Sequence, residues 1–400
     1  MKDTADAPWL RTSELNIPDL RERLSTEIEA FDSYIKPTRR EQKNRDRLLE
    51  IISLCISDMW PGAVIEPFGS YVTGLLLPGS DVDMNISVSQ PKAALKTLSK
   101  RLRAERLFRY EEMMLIQAKV PVLTIEDWRL QTSIDITLNN ESSSSQRTER
   151  WLQEYPPLRI LFLILKHALS SLVLDALPTF QVMSAKTNGL ASYSLICLLV
   201  FYFQQYKYLV NDTSSKTYYA DLLLGFLTFY AKFDFENMCI VLKDGAKLIP
   251  KSQLDKSAEN CSYLDKISIE DPDRPGINVA RSSNRIDYIR GAFSYLETLL
   301  RRRINAIDPR NPESVLSAII KVRPHHARDP RPSGRSYRIG IIEVPSEIVP
   351  FTPVMPTLSA TSEISVTPSK SKNKKRKRPR GETQERERKS AKLTNESEEQ

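Results

Sequence analysis

Asp81 and Asp83 stand two residues apart in an apolar setting, SDVDMNI (residues 80–86). If this stretch is a β-strand, side chains alternate between faces and the two carboxylates point the same way. Like charges side by side are costly unless a cation neutralises them. Oxygen ligands of this kind suit Mg²⁺ or Mn²⁺ and the phosphates such ions carry. A third carboxylate, Asp135, lies in TSIDITL (residues 132–138), which alternates as a half-buried strand does. Three carboxylates can hold two cations about 3.5–4 Å apart, the arrangement for in-line displacement at phosphorus. Upstream, Gly69-Ser70 precedes a short helical pattern (residues 71–76), which would put backbone N–H groups and a hydroxyl at a helix start. A lone Asp-x-Asp or Gly-Ser is usually a turn; their fixed spacing is what carries the signal.

The elements that must position these groups follow the hydrophobic pattern. A helix is expected from Pro37, capped by Thr38, with Arg45, Leu48, Leu49, Ile52 and Ile56 in amphipathic register. Residues 64–68 read as a strand, 91–107 as a basic-faced helix, and 113–118 and 120–125 as two short strands. Strands mixed with a helix over this span suit an α/β palm. The polar run NNESSSS (139–145) marks a boundary, beyond which 158–174, 190–206, 220–232 and 283–305 read as helices. The expected class is α+β. Its expected divisions are an N-terminal extension (1–36, weakly ordered to about 25), a catalytic palm with its leading helix (37–145), a helical domain (146–324) and a basic, disordered tail (325–400).

Four hundred residues fit two domains plus tails, and a net charge of +8 with pI near 9.1 favours a polyanionic partner. Four scattered cysteines lack metal-ligand spacing, which favours reduced thiols inside a cell, and three histidines make a His-rich zinc site improbable. The N-terminus has no apolar signal core. The uncharged stretch 187–206 carries Asn188, two serines and two glutamines, so a buried core helix is expected there and not a membrane span.

With these residues in view, GSYVTGLLLPGSDVDMNI resembles the signature of the DNA-polymerase-β-like nucleotidyltransferases, which include poly(A) polymerases and terminal uridylyltransferases. More closely it resembles the catalytic subunit of TRAMP-type nuclear poly(A) polymerases, with a PAP-associated helical domain. The likeness runs over about residues 37–300 and implies further roles. Lys166, in LILKHAL, is by itself either a snorkelling residue or a buried cation that needs an anion; the resemblance makes it a contact to the β- and γ-phosphates. Ser192-Tyr193, in NGLASYSL, is similar to a helix-start motif whose serine binds phosphate and whose tyrosine stacks on the base. ISIEDPDRPGINVARSS (267–283) resembles a nucleotide-recognition loop, with Asn278 and Arg281 on family positions. Ile277 departs from the pattern, because asparagine is usual there and isoleucine forms no side-chain hydrogen bond.

The resemblance implies transfer of AMP from ATP to RNA 3′ ends, with Mg²⁺ or Mn²⁺, in the nucleus or nucleolus. It also implies a zinc-knuckle RNA-binding protein, an RNA helicase and the nuclear exosome as partners. A uridylyltransferase or mixed-nucleotide enzyme is the alternative that Ile277 raises; a non-catalytic scaffold and a small-molecule nucleotidyltransferase are further ones. The run KSKNKKRKRPR, with Lys372, Lys374, Lys375, Arg376, Lys377, Arg378 and Arg380, reads as a nuclear-import signal or nucleic-acid tether.

Overall fold

The computed structural model describes residues 7–89, 93–117, 120–139, 143–243, 245–254, 265–310, 312–322 and 339–345. The basic run at 370–380 lies outside them. In chain order the first elements are α1 (Thr12–Leu15), α2 (Leu20–Ile35), α3 (Arg39–Met59), β1 (Val64–Phe68), α4 (Ser70–Thr73), β2 (Val82–Ser87), α5 (Ala94–Ala104), β3 (Met113–Ile116), β4 (Val122–Asp127) and β5 (Thr132–Leu138). Then come α6 (Ser143–Glu154), α7 (Pro157–Ser171), β6 (Leu172–Leu174), α8 (Ser192–Gln205), α9 (Lys207–Asn211) and α10 (Tyr218–Ala231). The remainder are β7 (Met238–Val241), β8 (Lys247–Pro250), β9 (Ser268–Glu270), α11 (Ile286–Ala306) and β10 (Ile342–Val344).

The palm is a five-stranded mixed sheet in the order β1-β2-β5-β4-β3, in which only the β2–β5 pair is parallel. Period-2 alternation gives it two chemically different faces. Val82, Met84, Ile86, Leu123, Ile125, Ile134 and Ile136 turn inward onto Leu48, Ile52 and Ile56 of α3 and Leu95, Leu98 and Leu102 of α5. The opposite face therefore receives Asp83, Asp135 and Thr124. Thr38 caps α3 as expected: its hydroxyl accepts from Glu41 N–H at 3.2 Å, while the Glu41 carboxylate accepts from Thr38 N–H at 2.6 Å.

A second core gathers α2, α7, α8, α10 and α11. The uncharged stretch that includes α8 is a core helix, and no helix among the described residues is long and apolar enough to cross a membrane. Two expectations are corrected here. The N-terminal segment is not a weakly ordered extension. Asp19 caps α2 by accepting from Arg21 and Glu22 N–H, and Leu24, Ile28, Phe31 and Ile35 are fully buried in the helical core. Nor is everything past residue 325 an extended tail. β10 pairs in parallel with β6, and Gly340 N–H donates to the Lys321 carbonyl at 2.7 Å. Backbone pairing across about 170 residues of chain leaves no local signal in composition.

Candidate active site

Asp83 and Asp135 are direct partners across the parallel β2–β5 pair, so their side chains leave the same face at the same level. Thr124 of β4 stands opposite Asp135 in turn, and its hydroxyl donates to Asp135 Oδ1 at 2.6 Å. Asp81 sits one residue before β2 and is exposed; its Oδ1 accepts a hydrogen bond from the Ser133 hydroxyl. Burial, reinforced by the Asp135 and Asp81 charges, pushes Asp83 up to about 7. Burial likewise raises Asp135, against the pull of the Thr124 hydroxyl. No hydrogen-bond donor among the described residues reaches Asp83.

Such a cluster is short of positive charge. Among the described residues no three His, Cys, Asp or Glu side chains form a closed metal-binding group. Repulsion accounts for that, because Asp81 is turned to Ser133 and Asp135 to Thr124. The donor set itself, Asp83 and Asp135 at one strand level with Asp81 two residues before Asp83, has the chemistry of a hard divalent cation site.

Beside Asp83 lies a cavity of about 190 Å³ whose lining includes Gly69, Ser70, Lys166, Ser192 and Tyr193. These residues come from three separate helices and a turn. Gly69, at φ +68°, is the only residue type the turn tolerates, since a Cβ there would collide with the Asp83 carboxylate. Its N–H is not left open for a phosphate as the sequence suggested: it donates to Ser145 Oγ at 2.9 Å. Lys166, on α7, is partly buried with its Nζ 5.6 Å from the Phe162 ring centre. Burial lowers its pKa, and the Asp83 and Asp81 charges oppose that. Ser192 is the first residue of α8. The Tyr193 ring stacks on Trp151 of α6, with centroids 6.2 Å apart, and burial raises its phenol.

Asn278 and Arg281 do not line this cavity. The Asn278 amide is buried and engaged at both ends: Oδ1 accepts from Ile269 and Ala280 N–H at 3.1 and 2.9 Å, and Nδ2 donates to the Ile267 carbonyl at 2.9 Å. It holds the loop's shape. Arg281 is exposed. The loop is joined to α6 by the Arg147–Asp273 ion pair, and Arg147 also lies over Trp151. Sequence reasoning missed Arg147, Trp151 and Thr124, and it singled out neither Ser144 nor Ser145 within the polar run, although both line the cavity.

A carboxylate row on a mixed-sheet palm, opening beside a helical domain that supplies a lysine and a tyrosine, is the plan of a nucleotidyltransferase. Residues 24–146 match the central palm domain of mitochondrial-like poly(A) RNA polymerases, and residues 219–276 match the Cid1 family of poly(A) polymerases. Over these two spans the chain is similar to Cid1-type poly(A) RNA polymerases. It is similar to poly(A) RNA polymerase protein 1 of Eremothecium gossypii, with 29% identity over 334 residues, covering 80% of this chain and 52% of that protein. The chain thus spans about half the length of the curated relatives it matches first. Trf4-2 of Drosophila melanogaster, named as inactive, is 26% identical over 75% of this chain and 73% of its own. Among solved structures, the polymerase core of TRAMP, an RNA surveillance complex, superposes with a TM-score of 0.65 at 27% identity, over 75% of this chain and 95% of that one.

Proposed function

We propose that this chain is a template-independent RNA 3′-end adenylyltransferase that adds short A tails to nuclear RNAs bound for decay or trimming. The carrying observation is the Asp83–Asp135 pair, with Asp81 two residues before Asp83 and Asp83 itself lining the Lys166–Tyr193 cavity. In this reading the Lys166 ammonium and the Ser70 and Ser192 hydroxyls bind the triphosphate. The exposed face of the Tyr193–Trp151 stack takes the base, an interaction worth about 1–3 kcal/mol per base with little selectivity. Asp135 takes the proton of the RNA 3′-hydroxyl, whose oxygen bonds to the α-phosphorus while the bond to the β-phosphate oxygen breaks and pyrophosphate leaves. Asp81, Asp83 and Asp135 would hold Mg²⁺ or Mn²⁺, which supplies the positive charge that triphosphate and pyrophosphate require.

A zinc-knuckle RNA-binding protein, an RNA helicase and the exosome are the proposed partners, in the nucleus or nucleolus. The similarity to the TRAMP polymerase core supports them. A second reading, uridylyl transfer, is favoured by Ile277, whose side chain forms no hydrogen bond to a base edge. Primer extension on labelled oligo(A) with Mg²⁺ or Mn²⁺ and each nucleoside triphosphate separately, beside Asp81→Ala/Asp83→Ala, is the test. Extension with ATP, lost in the variant, is expected. UTP preference would overturn the base assignment. No extension even with a zinc-knuckle partner would leave a scaffold, as an inactive relative shows the family permits.

A further inference from the structure

A second concavity, of about 540 Å³, lies at the end of the palm where α5 and the β4–β5 hairpin meet. Its walls carry Arg103, Arg106, Phe108, Arg109, Trp128 and Arg129. The carboxylates here are committed to holding those walls. Glu112 is buried and accepts from the backbone N–H of Arg109 at 2.8 Å and of Trp128 at 3.3 Å, which ties the two sides together. Asp127, also buried, accepts from Arg129 and Leu130 N–H and pairs with the Arg129 guanidinium at 3.0 Å. Arg129 in turn lies 5.7 Å from the Phe108 ring centre, and Arg103 lies 5.3 Å from that of Tyr110. Arg103, Arg106 and Arg109 have no carboxylate partner among the described residues. Next to them Trp128 and Tyr110 are 43% and 68% exposed. Large rings left in water beside unpaired guanidiniums are unfavourable for an isolated surface and suit a ligand with both phosphates and flat bases.

We propose that this groove binds the single-stranded RNA segment a few nucleotides upstream of the 3′ end, which rests on reading the chain as an RNA 3′-end nucleotidyltransferase. The hairpin that carries Trp128 and Arg129 leads directly into β5, and Asp135 lies three residues beyond Thr132, a rise of roughly 10 Å. This end of the sheet is therefore within a few nucleotides' reach of a strand whose terminal hydroxyl sits at Asp135. An acidic peptide would satisfy the arginines but leave the rings without a partner, so RNA is the better fit.

The test uses the full chain, with Arg103→Gln/Arg109→Gln and Trp128→Ala as variants and thermal melting to confirm that each folds as wild type does. Binding of fluorescein-labelled A₁₅ is read by anisotropy across salt concentrations, and extension is measured with A₁₅ and with the dinucleotide ApA, too short to reach the groove. The arginine pair is expected to weaken A₁₅ binding about 10-fold and to lower the salt slope by roughly 1.4, the value for two phosphate contacts on a single strand. Trp128→Ala should weaken binding by about 5-fold or more with the slope unchanged. ApA extension should stay at the wild-type rate for both. Wild-type A₁₅ affinity in both variants overturns the proposal, as does an equal loss with ApA. Displacement of A₁₅ from the wild type by a 15-residue polyglutamate as readily as by unlabelled A₁₅ would assign the groove to an acidic protein instead. Groove-dependent A₁₅ binding without any nucleotide transfer supports the groove and sinks only the enzymatic reading.

Discussion

Three carboxylates in this molecule, Glu27 fully buried and Asp83 and Asp135 half-buried, differ mainly in how many donors they receive. Glu27, on α2, accepts from Ser314 Oγ at 2.7 Å, Val315 N–H at 2.9 Å and Leu316 N–H at 2.6 Å, with Arg23 nearby. Asp135 accepts from one side-chain donor, Thr124. Asp83 has none among the described residues and faces two like charges. Burial nonetheless pushes both Glu27 and Asp83 up to about 7. The shared shift hides opposite purposes. Glu27 fastens the N-terminal helix to the turn after α11, and deleting it would orphan three buried donors. Asp83 is a destabilised charge, the one that the proposed cation would neutralise.

The largest expected effect tests that contrast at Asp83. Asp83→Asn should lower nucleotidyl transfer by about 10²–10³-fold or more. In metal-free protein at pH 8 it should raise Tm by about 2 °C or more, because an amide carries no charge to repel its neighbours. An acid whose folded-state pKa lies above its unfolded value holds its proton more tightly when folded. That contribution is complete below about pH 4 and is lost as pH rises through about 7. Metal-free wild type should therefore lose stability from pH 5 to pH 8, with a shallower fall in Asp83→Asn and recovery on adding Mg²⁺. A Tm several degrees lower in the variant at pH 8 would break the comparison. Glu27→Ala should act in the other direction, costing about 3 kcal/mol in urea unfolding at pH 8, while Glu27→Gln, which keeps an acceptor, should cost about half that. A neutral Glu27→Ala would show that α2 is held by apolar contacts alone.

How much of this could be read from the chain depends on the range of the forces involved. β1 and β5 were legible to the residue because alternation is a local property, and Thr38 with Glu41 announces a helix start within four positions. That Asp83 and Asp135 leave strands on the polar face was legible from the same alternation. The stripe Leu24, Ile28, Phe31, Ile35 was present but diluted by the acidic and basic residues around it, so α2 passed for a lead-in. Asn278 sat on a family position, yet only the fold shows that its amide turns inward to hold the loop. Hydroxyls were the least legible. Serine and threonine are common everywhere, and nothing marks Ser145 or Thr124 until the start of α6 meets Gly69 and the strand register sets Thr124 opposite Asp135.

Thr124 gives the finest test, because it makes Asp135 intermediate between the other two carboxylates. Removing its hydroxyl in Thr124→Val would leave Asp135 with no side-chain donor, the condition of Asp83. Burial would then act on Asp135 unopposed by that hydrogen bond and raise its pKa further. Thr124 touches the carboxylate and not the substrate, so it is a positioning residue. The expected loss in kcat is only about 10-fold, the scale of one misplaced or mis-protonated group. Its signature is in the pH–rate profile, whose acid limb should move upward so that much of the deficit disappears near pH 9. Thr124→Ser, which keeps the donor, should restore the wild-type profile. A uniform loss at every pH, unrepaired by serine, would mean that Thr124 serves packing of β4 and that a single hydroxyl does not distinguish Asp135 from Asp83.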